Sequence, residues 1–276
     1  MQPDYLIVGS GLSALVFGAL MANAGKTVHI VEAHEHPGGF GHTFTLAKKY
    51  TFNAQLHYVW DCGEGQTVNR VLKKLGLDTQ VTFERYDPEG FDRMRMPGYA
   101  LDIPSDPAEL IQRLSQLFPA ASDRIGKFIN EVEKTGAGMK KLAPPINPIE
   151  LLKHPGEVFS TAQYLNSTLQ DVFDKFHLPQ AAQTLLALQW PDFLLPPNQL
   201  SFYAWVALFR GYQAGAFYPT QHFEDVINSF VKVIESRGGK VILNHEVTNF
   251  LVTDRTVTGF EAIDRTTHQT HKFTGK

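Results

Sequence analysis

The sequence is short of the residues that mark several protein classes. It has one cysteine, Cys62, in 276 residues, which excludes a disulfide scaffold and a four-thiolate metal site and indicates a reducing compartment such as the cytoplasm. Basic residues do not outnumber acidic ones, 25 against 28, so the charge gives no sign of a nucleic-acid partner. No internal repeat is present. The length predicts a folded protein of roughly two domains, at ~150 residues for each.

Charge is also missing from residues 5–25, a run long enough to cross a bilayer or to imitate a secretory signal. A signal would be preceded by positive charge, whereas the segment before this run has none and carries Asp4. Gly9 and Gly11 also interrupt the run. We therefore interpret it as a strand, a turn and a helix of a cytoplasmic protein, and leave contact with a membrane surface open.

The first 31 residues predict a strand–helix–strand unit. Residues 5–8 are an apolar run typical of a buried parallel strand. Residues 12–24 predict a helix that ends at Gly25, and residues 27–31 predict a second strand. Such a unit has a right-handed crossover.

The turn between this strand and helix predicts a dinucleotide site. Gly9 allows the tight turn, Gly11 lets the backbone approach a pyrophosphate, and Ala14 replaces the usual third glycine of the motif. Free N–H groups at the helix start would stabilise phosphate charge. Glu32 ends the second strand, 23 residues after Gly9, where a carboxylate accepts from a ribose hydroxyl and repels the extra phosphate of NADP.

The rest of the chain predicts a discontinuous organisation. Asp106 begins a helix as its N-cap, and residues 105–211 are largely helical, with many aromatic side chains. An amphipathic helix over 223–234 is followed by a parallel strand at 241–243 and an antiparallel meander over 247–273. We expect a nucleotide-binding domain from residues 1–80 and 220–276, interrupted by a largely helical substrate-binding domain over 81–219.

Several segments resemble the group of flavoproteins that contains phytoene desaturases, carotenoid isomerases and retinol saturases. The resemblance rests on the segments 4–11, 37–39, 52–58, 195–202 and 215–219, together with Glu32 and the pair Gly238-Gly239. The segment 195–202 is similar to the retinol saturase branch in particular.

The resemblance implies an α/β fold: a two-dinucleotide-binding, glutathione-reductase-like FAD domain with a helical and antiparallel insertion for the substrate. It implies FAD as cofactor, an apolar polyene or isoprenoid as the small-molecule substrate, and chemistry at carbon–carbon double bonds. It also implies that Val247 contacts adenine through its backbone. The implied cofactor-binding residues are Gly9, Ser10, Gly11, Leu12, Ser13, Ala14, Glu32, Ala33, Gly38, Gly39 and Val247.

The sequence departs from this family in three places. Asn53 and Gln55 replace an acid and a glycine, and residues 220–222, Thr-Gln-His, replace two glycines expected near the flavin or the substrate. The family also continues beyond the point that corresponds to Lys276. We therefore expect the C-terminal part of the fold to be missing here, with the sheet edge covered by a separate C-terminal half or by self-association.

Other chemistry is weakly indicated. His34, His36 and His42 lie near Glu32 and Glu35, but their spacing matches no zinc pattern, so no metal site is predicted. His57 has two interpretations, an acid–base group or a buried, hydrogen-bonded side chain, and we prefer the second. Aromatic side chains crowd residues 190–218, as a core or as the wall of an apolar channel. No catalytic residue is assigned.

Three functions stay open on the sequence alone. The first is an FAD-dependent oxidoreductase or isomerase, of which this chain alone need not be active. The second is a lipid-binding protein without chemistry, since Rab GDP-dissociation inhibitors share a related fold and hold prenyl chains. The third is an NAD-linked dehydrogenase.

Overall fold

The computed structural model describes residues 2–142, 149, 153 and 155–275. They divide into two compact units. The first contains residues Met1–Glu84 and Phe217–Lys276, and the second contains Arg85–Ala216. The sequence placed the divisions at 80/81 and 219/220; the roles expected for the two domains stay predictions.

The first unit alternates strands and helices. Its strands are β1 (Tyr5–Val8), β2 (Val28–Val31), β3 (Thr43–Leu46), β4 (Tyr50–Asn53), β5 (Phe83–Arg85), β8 (Phe217–Pro219), β9 (Lys240–Ile242), β10 (His245–Thr253), β11 (Thr256–Asp264) and β12 (Thr270–Thr274). Its helices are α1 (Leu12–Asn23), α2 (Thr67–Leu75) and α9 (Phe223–Ser236). Arg85, the last residue of β5, belongs to the second unit.

A parallel sheet in the order β1–β2–β9 positions the predicted nucleotide site. Ile7 is in register with Ile30, and Ile30 with Val241. The strand–helix–strand unit is therefore confirmed, and so is the return of the chain to the same sheet near residue 241. Helix α1 ends as predicted: Ala24 is its C-cap and Gly25 has a φ of +80°.

The core of this unit lies between the sheet and the helices α1, α2 and α9. Apolar residues from each element are buried there: Leu15, Ala19, Val28, Ile30, Leu72, Phe230 and Ile234. The period of about 3.6 residues in α9 brings Val226, Phe230 and Ile234 to one face, which explains why its sequence pattern was easily recognised.

The predicted antiparallel meander is confirmed as β10–β11–β12. Phe260 is opposite Phe250 on one side and Phe273 on the other. Phe260 and Ala262 are buried against Val31, so the meander packs on the end of β2.

The hairpin β3–β4 was not predicted. Its register pairs Phe44 with Phe52 and Leu46 with Tyr50, and all four side chains are exposed. Polar and apolar residues alternate in both strands, Thr43–Leu46 and Tyr50–Asn53, which is the pattern expected of a strand. The signal was therefore available, although the hairpin exposes its apolar side chains instead of burying one face.

The second unit is mostly helical. Its remaining elements are β6 (Asp92–Met96), β7 (Tyr99–Ile103), α3 (Pro107–Leu117), α4 (Ser122–Leu142), α5 (Pro155–Gln163), α6 (Leu169–Lys175), α7 (Gln180–Ala187) and α8 (Phe202–Ala214). The Asp106 cap is confirmed, since its Oδ1 accepts the Ala108 N–H at 2.9 Å. Of the helices that the structure describes, none has the length and apolar character needed to span a bilayer.

We predict that Gly18→Leu destabilises the first unit. A Cβ at Gly18 would lie 3.1 Å from Ile234 Cδ1 and 3.2 Å from Ile30 Cδ1, so a larger side chain must push α1 away from the sheet. The expected loss in free energy of unfolding is about 1–3 kcal/mol, measured by urea denaturation.

Gly126→Leu in α4 is the matched control, because a Cβ there meets only Ile111 at 3.9 Å. It should keep or raise the stability, as leucine is the better helix former by about 1 kcal/mol. Equal stability of Gly18→Leu and the unchanged chain would contradict close packing at Gly18.

Candidate functional site

The turn between β1 and α1 lies at a strand-to-helix junction, as predicted. The Gly9 N–H donates to the Val31 carbonyl at 2.8 Å, which fixes the turn against the end of β2. Gly9 has a φ of +86°, a conformation that favours glycine. No described atom lies within 4 Å of a Cβ built at Gly9 or Gly11. The space in front of the turn is therefore open, as close approach of a phosphate requires.

The start of α1 is suited to an anion. No hydrogen bond from a described side chain caps it, and its first turn, Leu12 to Leu15, contains no acidic residue. The Leu15 N–H is the first to donate within the helix, to the Gly11 carbonyl at 3.0 Å. The N–H groups before it point toward the open end, where the helix dipole favours negative charge.

Glu32 lies beside this turn and is hydrogen-bonded to it. Its Oε2 accepts the Ser10 N–H at 2.6 Å and the Ser10 hydroxyl at 2.8 Å, and its Oε1 accepts the His34 N–H at 2.8 Å. Partial burial raises the pKa of Glu32, but these hydrogen bonds outweigh it and the pKa is lowered from its ordinary value. Glu32 is therefore an anion at neutral pH.

A carboxylate has about four acceptor positions, and three are used here. One position therefore remains for a ribose hydroxyl. Sequence reasoning predicted the ribose role but missed the bonds to Ser10, which is fully buried. The spacing of the motif carried no signal for them.

Gly38 and Gly39 lie against the same turn. The Gly38 N–H donates to the Ser10 carbonyl at 2.9 Å. A Cβ at Gly39 would lie 3.3 Å from Gly11 Cα, and one at Gly38 would lie 2.9 Å from Ile227 Cγ1. Both residues also have positive φ, +109° and +55°. The predicted glycine pair therefore lets a second backbone segment lie along the first.

Ala33 and Val247 lie at the junction of β2 with the meander. The His245 N–H donates to the Glu32 carbonyl at 2.8 Å, and Arg265 Nη1 donates to the Ala33 carbonyl at 3.3 Å. Val247 is half-buried and packs against the apolar cluster of Val31. The structure thus brings Val247 to the sheet that carries Glu32; contact with adenine stays a prediction.

Gly18 is a site-positioning residue that sequence reasoning missed. It lies on the face of α1 that packs against Ile30 and Ile234, and it sets the distance between helix and sheet. Ala14, to which that role was given, is only half-buried. The signal was available, because a glycine in the middle of a helix is costly and usually has a packing reason.

One expectation about histidine was wrong. His57 was preferred as a buried side chain, but it is exposed. It follows the β3–β4 hairpin in an irregular segment, and nothing buries it there. His34, His36 and His42 do form a group, with ring centroids 5.7 Å and 5.4 Å from His34.

Three of the residues that depart from the family, Asn53, Thr220 and His222, have structural roles. His222 is the N-cap of α9, and its N–H donates to Asp225 Oδ2 at 3.0 Å. Thr220 pairs with Thr82 through their hydroxyls at 2.7 Å. Asn53 donates to the Tyr218 hydroxyl. The bulkier segment 220–222 thus connects β8 to α9 and caps that helix.

The aromatic residues of the second unit form a core. Phe202, Trp205 and Phe209 are buried, and Trp205 stacks on Phe209 with centroids 4.6 Å apart. Trp190, by contrast, is 41% exposed. Residues 190–218 were interpreted as a core or as the wall of an apolar channel. For the residues of α8, core packing is what the structure shows.

An apolar cavity of about 360 Å³, which no sequence pattern predicted, lies in the first unit. Its wall includes Leu12 and Val16 of α1, Val68 and Val71 of α2, and Ile227 and Phe230 of α9. Cys62 also lines it, and burial raises the pKa of its thiol to about 12. The cavity begins beside Leu12, so it adjoins the predicted dinucleotide site.

Comparisons with known proteins agree with the sequence and the fold. Residues 7–75 match the family described as an NAD(P)-binding Rossmann-like domain. Human all-trans-retinol 13,14-reductase is 27% identical over 267 residues, which cover 90% of this chain and 42% of that protein. Chloroplastic prolycopene isomerase of Daucus carota is 25% identical over 186 residues, or 63% of this chain and 29% of that protein.

Solved structures show the same fold. A variant of putrescine oxidase superposes with a TM-score of 0.66 at 14% identity and covers 99% of this chain and 57% of its own. A Rab GDI from Plasmodium falciparum gives 0.56 at 15% identity, over 99% of this chain and 64% of its own. The predicted Rossmann-like α/β fold is confirmed.

The resemblance to the retinol saturase and carotenoid isomerase family is confirmed as well, because the curated relatives are named all-trans-retinol 13,14-reductase and prolycopene isomerase. The chain spans about two fifths of the length of the all-trans-retinol 13,14-reductases that it matches.

We predict that Glu32→Gln destabilises the chain in a pH-dependent manner. A lowered carboxyl pKa contributes stability above the ordinary value of 4.5, and that contribution is lost as the pH falls through the pKa of the folded state. Urea denaturation at about pH 7 should show a loss of roughly 1 kcal/mol in the free energy of unfolding, and this loss should shrink as the pH is lowered below 4.5.

Glu35→Gln is the matched control, since this exposed acid lies on the same segment. It should change little at either pH. A Glu32→Gln variant as stable as the unchanged chain at neutral pH would show that the bonds to Ser10 have no net energetic value.

Proposed function

We propose that this chain, a homologue of all-trans-retinol 13,14-reductases, is the dinucleotide-binding part of an FAD-dependent oxidoreductase or isomerase. The proposed reaction class is chemistry at carbon–carbon double bonds of an apolar, retinoid-like or carotenoid-like polyene. In this proposal residues 1–80 and 220–276 hold the cofactor, and residues 81–219 contribute to the substrate domain.

The observation that carries the proposal is the open turn at Gly9–Gly11 with an ionised carboxylate beside it. No described atom lies within 4 Å of a Cβ at Gly9 or Gly11, so the backbone is accessible to a pyrophosphate. The Glu32–Ser10 bonds fix the acid at the edge of that space. A diphosphate and a ribose need these two features side by side.

Each of the predicted residues would contact a different part of the cofactor. The N–H groups at the start of α1, from Leu12, Ser13 and Ala14, would stabilise the phosphate charge. Glu32 would accept from the ribose of the adenosine half, with Ala33 beside it. Gly38 and Gly39 would lie along the other half of the cofactor, and the Val247 backbone would meet the adenine.

Once bound, FAD would supply the electron transfer of the reaction. The chain's own contribution is position and exclusion of water. The apolar side chains that line the cavity beside Leu12 offer no polar partner to water. We assign no proton-transfer residue.

FAD is favoured over a nicotinamide cofactor by the second glycine segment. A simple NAD site needs only the first turn and the acid, whereas here the Gly38 N–H donates to the Ser10 carbonyl and Gly39 lies close to the Gly11 backbone. The Glu32 anion disfavours the extra phosphate of NADP at the same position.

A second candidate is an isoprenoid-binding protein without redox chemistry. The apolar cavity favours it, because 360 Å³ with an almost wholly apolar wall fits part of a hydrocarbon chain. The fold is also found in a Rab GDI. Retention of an isoprenoid lipid without any flavin would select this candidate.

We predict that Gly11→Ala weakens FAD binding at least tenfold without unfolding the chain. Gly11 has a φ of −57°, which alanine adopts freely, and the added methyl group meets no described atom of the chain. It occupies only the space that a phosphate needs. Flavin fluorescence titration and equilibrium dialysis measure the affinity.

Gly126→Ala in α4 is the control and should bind FAD as the unchanged chain does. Titrations with NADH run in parallel. Binding of NADH but not FAD would overturn the flavin proposal in favour of a dehydrogenase. Failure of the unchanged chain to take up FAD at about 100 μM, a free energy of roughly −5.5 kcal/mol, would also contradict it.

A further inference from the structure

Three side chains that are distant in sequence meet on one face of the meander. His245 begins β10 and is directly opposite Asp264 at the end of β11. His271 of β12 is opposite Ala262, two residues before Asp264. Because side chains alternate along a strand, Ala262 and Asp264 share a face, and both histidines are their cross-strand neighbours on it. The register of the strands therefore brings the three groups together.

The distances are suited to one ion. One imidazole nitrogen of each histidine and one carboxylate oxygen lie within 4.8 Å of one another. Ligands at ~2.0–2.1 Å from a tetrahedral Zn²⁺ are about 3.3 Å apart. His271 is exposed, so its ring can close the remaining distance by a small rotation.

The ligands are held by hydrogen bonds on their far sides. His245 Nδ1 lies 2.7 Å from the Leu243 carbonyl, to which it donates. In the neutral tautomer that this bond selects, Nε2 carries the lone pair that a metal would use. Asp264 Oδ1 accepts the N–H groups of Thr266 and Thr267 at 2.7 Å and 3.2 Å. Such outer hydrogen bonds are typical of metal ligands.

The carboxylate is not paired with the cationic side chain next to it. The Thr267 hydroxyl donates to Asp264 Oδ2 at 2.9 Å. The adjacent Arg265 is directed elsewhere, since its Nε lies 3.9 Å from Glu246 and its Nη1 donates to the Ala33 carbonyl. Arg265 therefore does not take the position of a cation at Asp264.

We propose that His245, Asp264 and His271 form a binding site for a divalent transition metal of the Zn²⁺ class. Two imidazoles and one carboxylate suit Zn²⁺, Co²⁺ or Ni²⁺ and not Mg²⁺ or Ca²⁺, which prefer oxygen ligands throughout. Three protein ligands leave a position for water. The site is independent of the flavin proposal, and it differs from the His34, His36 and His42 group that the sequence drew attention to.

The metal would connect all three strands of the meander. Among the strands that the structure describes, β12 pairs with β11 alone, and His271 is its contribution to the site. Since His245 also bonds the Glu32 carbonyl, the site is tied to the segment that carries the nucleotide acid. Because the metal would bind the folded chain and not the unfolded one, it would raise the thermal stability by mass action.

The test is titration of the chelator-treated 276-residue chain with Zn²⁺ against a chromophoric chelator, and with Co²⁺ by visible absorption. We expect one equivalent bound at micromolar or tighter affinity. His271→Thr, which places a strand-forming residue on an exposed position, and Asp264→Asn, which keeps an oxygen acceptor for the turn, should each weaken binding at least tenfold.

His268→Asn is the matched control. This exposed histidine lies in the turn between β11 and β12 with a φ of +58°, which asparagine tolerates. It should bind Zn²⁺ as the unchanged chain does. Far-UV circular dichroism establishes that each variant is folded.

Imidazole ¹H–¹⁵N spectra of the unchanged chain give a readout that needs no substitution. Zn²⁺ should shift the resonances of His245 and His271 first. The proposal is overturned if the unchanged chain binds no Zn²⁺, or if the shifted resonances and the loss of binding belong to His34, His36 or His42 instead. Equal weakening by His268→Asn and His271→Thr would overturn it as well.

Discussion

The contact on which the site depends is the pair of hydrogen bonds from Ser10 to the Glu32 carboxylate. Backbone pairing already holds β1 beside β2, and the bond from the Gly9 N–H to the Val31 carbonyl extends it to the first residue of the turn. One carboxylate oxygen takes both the N–H and the hydroxyl of Ser10, and this ties the turn to the end of the neighbouring strand. The backbone carbonyl of Glu32 also accepts the N–H of His245. Glu32 is thus the point where the turn, the sheet and the meander are joined.

The parts of the fold that follow a regular period could be predicted from the sequence. The strand–turn–helix–strand unit, α9 and the meander all have runs of apolar residues at the spacing of a helix or strand, and their burial bears this out. The Asp106 cap was predicted for a similar reason, because capping is a local interaction within a few residues.

The parts that depend on long-range packing could not be predicted. Exposure of Phe44 and Phe52 on the β3–β4 hairpin is one example, since the alternating pattern of its strands would be expected to bury one face. The apolar cavity arises where three helices and the segment 56–62 meet, and no local pattern describes that packing. The cluster of His245, Asp264 and His271 shows the same limit, since it is formed by strand register and not by a recognisable spacing in the sequence.

The position of Cys62 has a practical consequence. It is the only thiol in the sequence, it is 7% exposed, and it faces the apolar cavity. Charged alkylating reagents will react with it slowly, because the thiolate that they require is disfavoured there. A fluorophore can therefore be attached through a cysteine introduced on the surface while the natural thiol stays unlabelled, which makes the intact chain directly accessible to single-site spectroscopy.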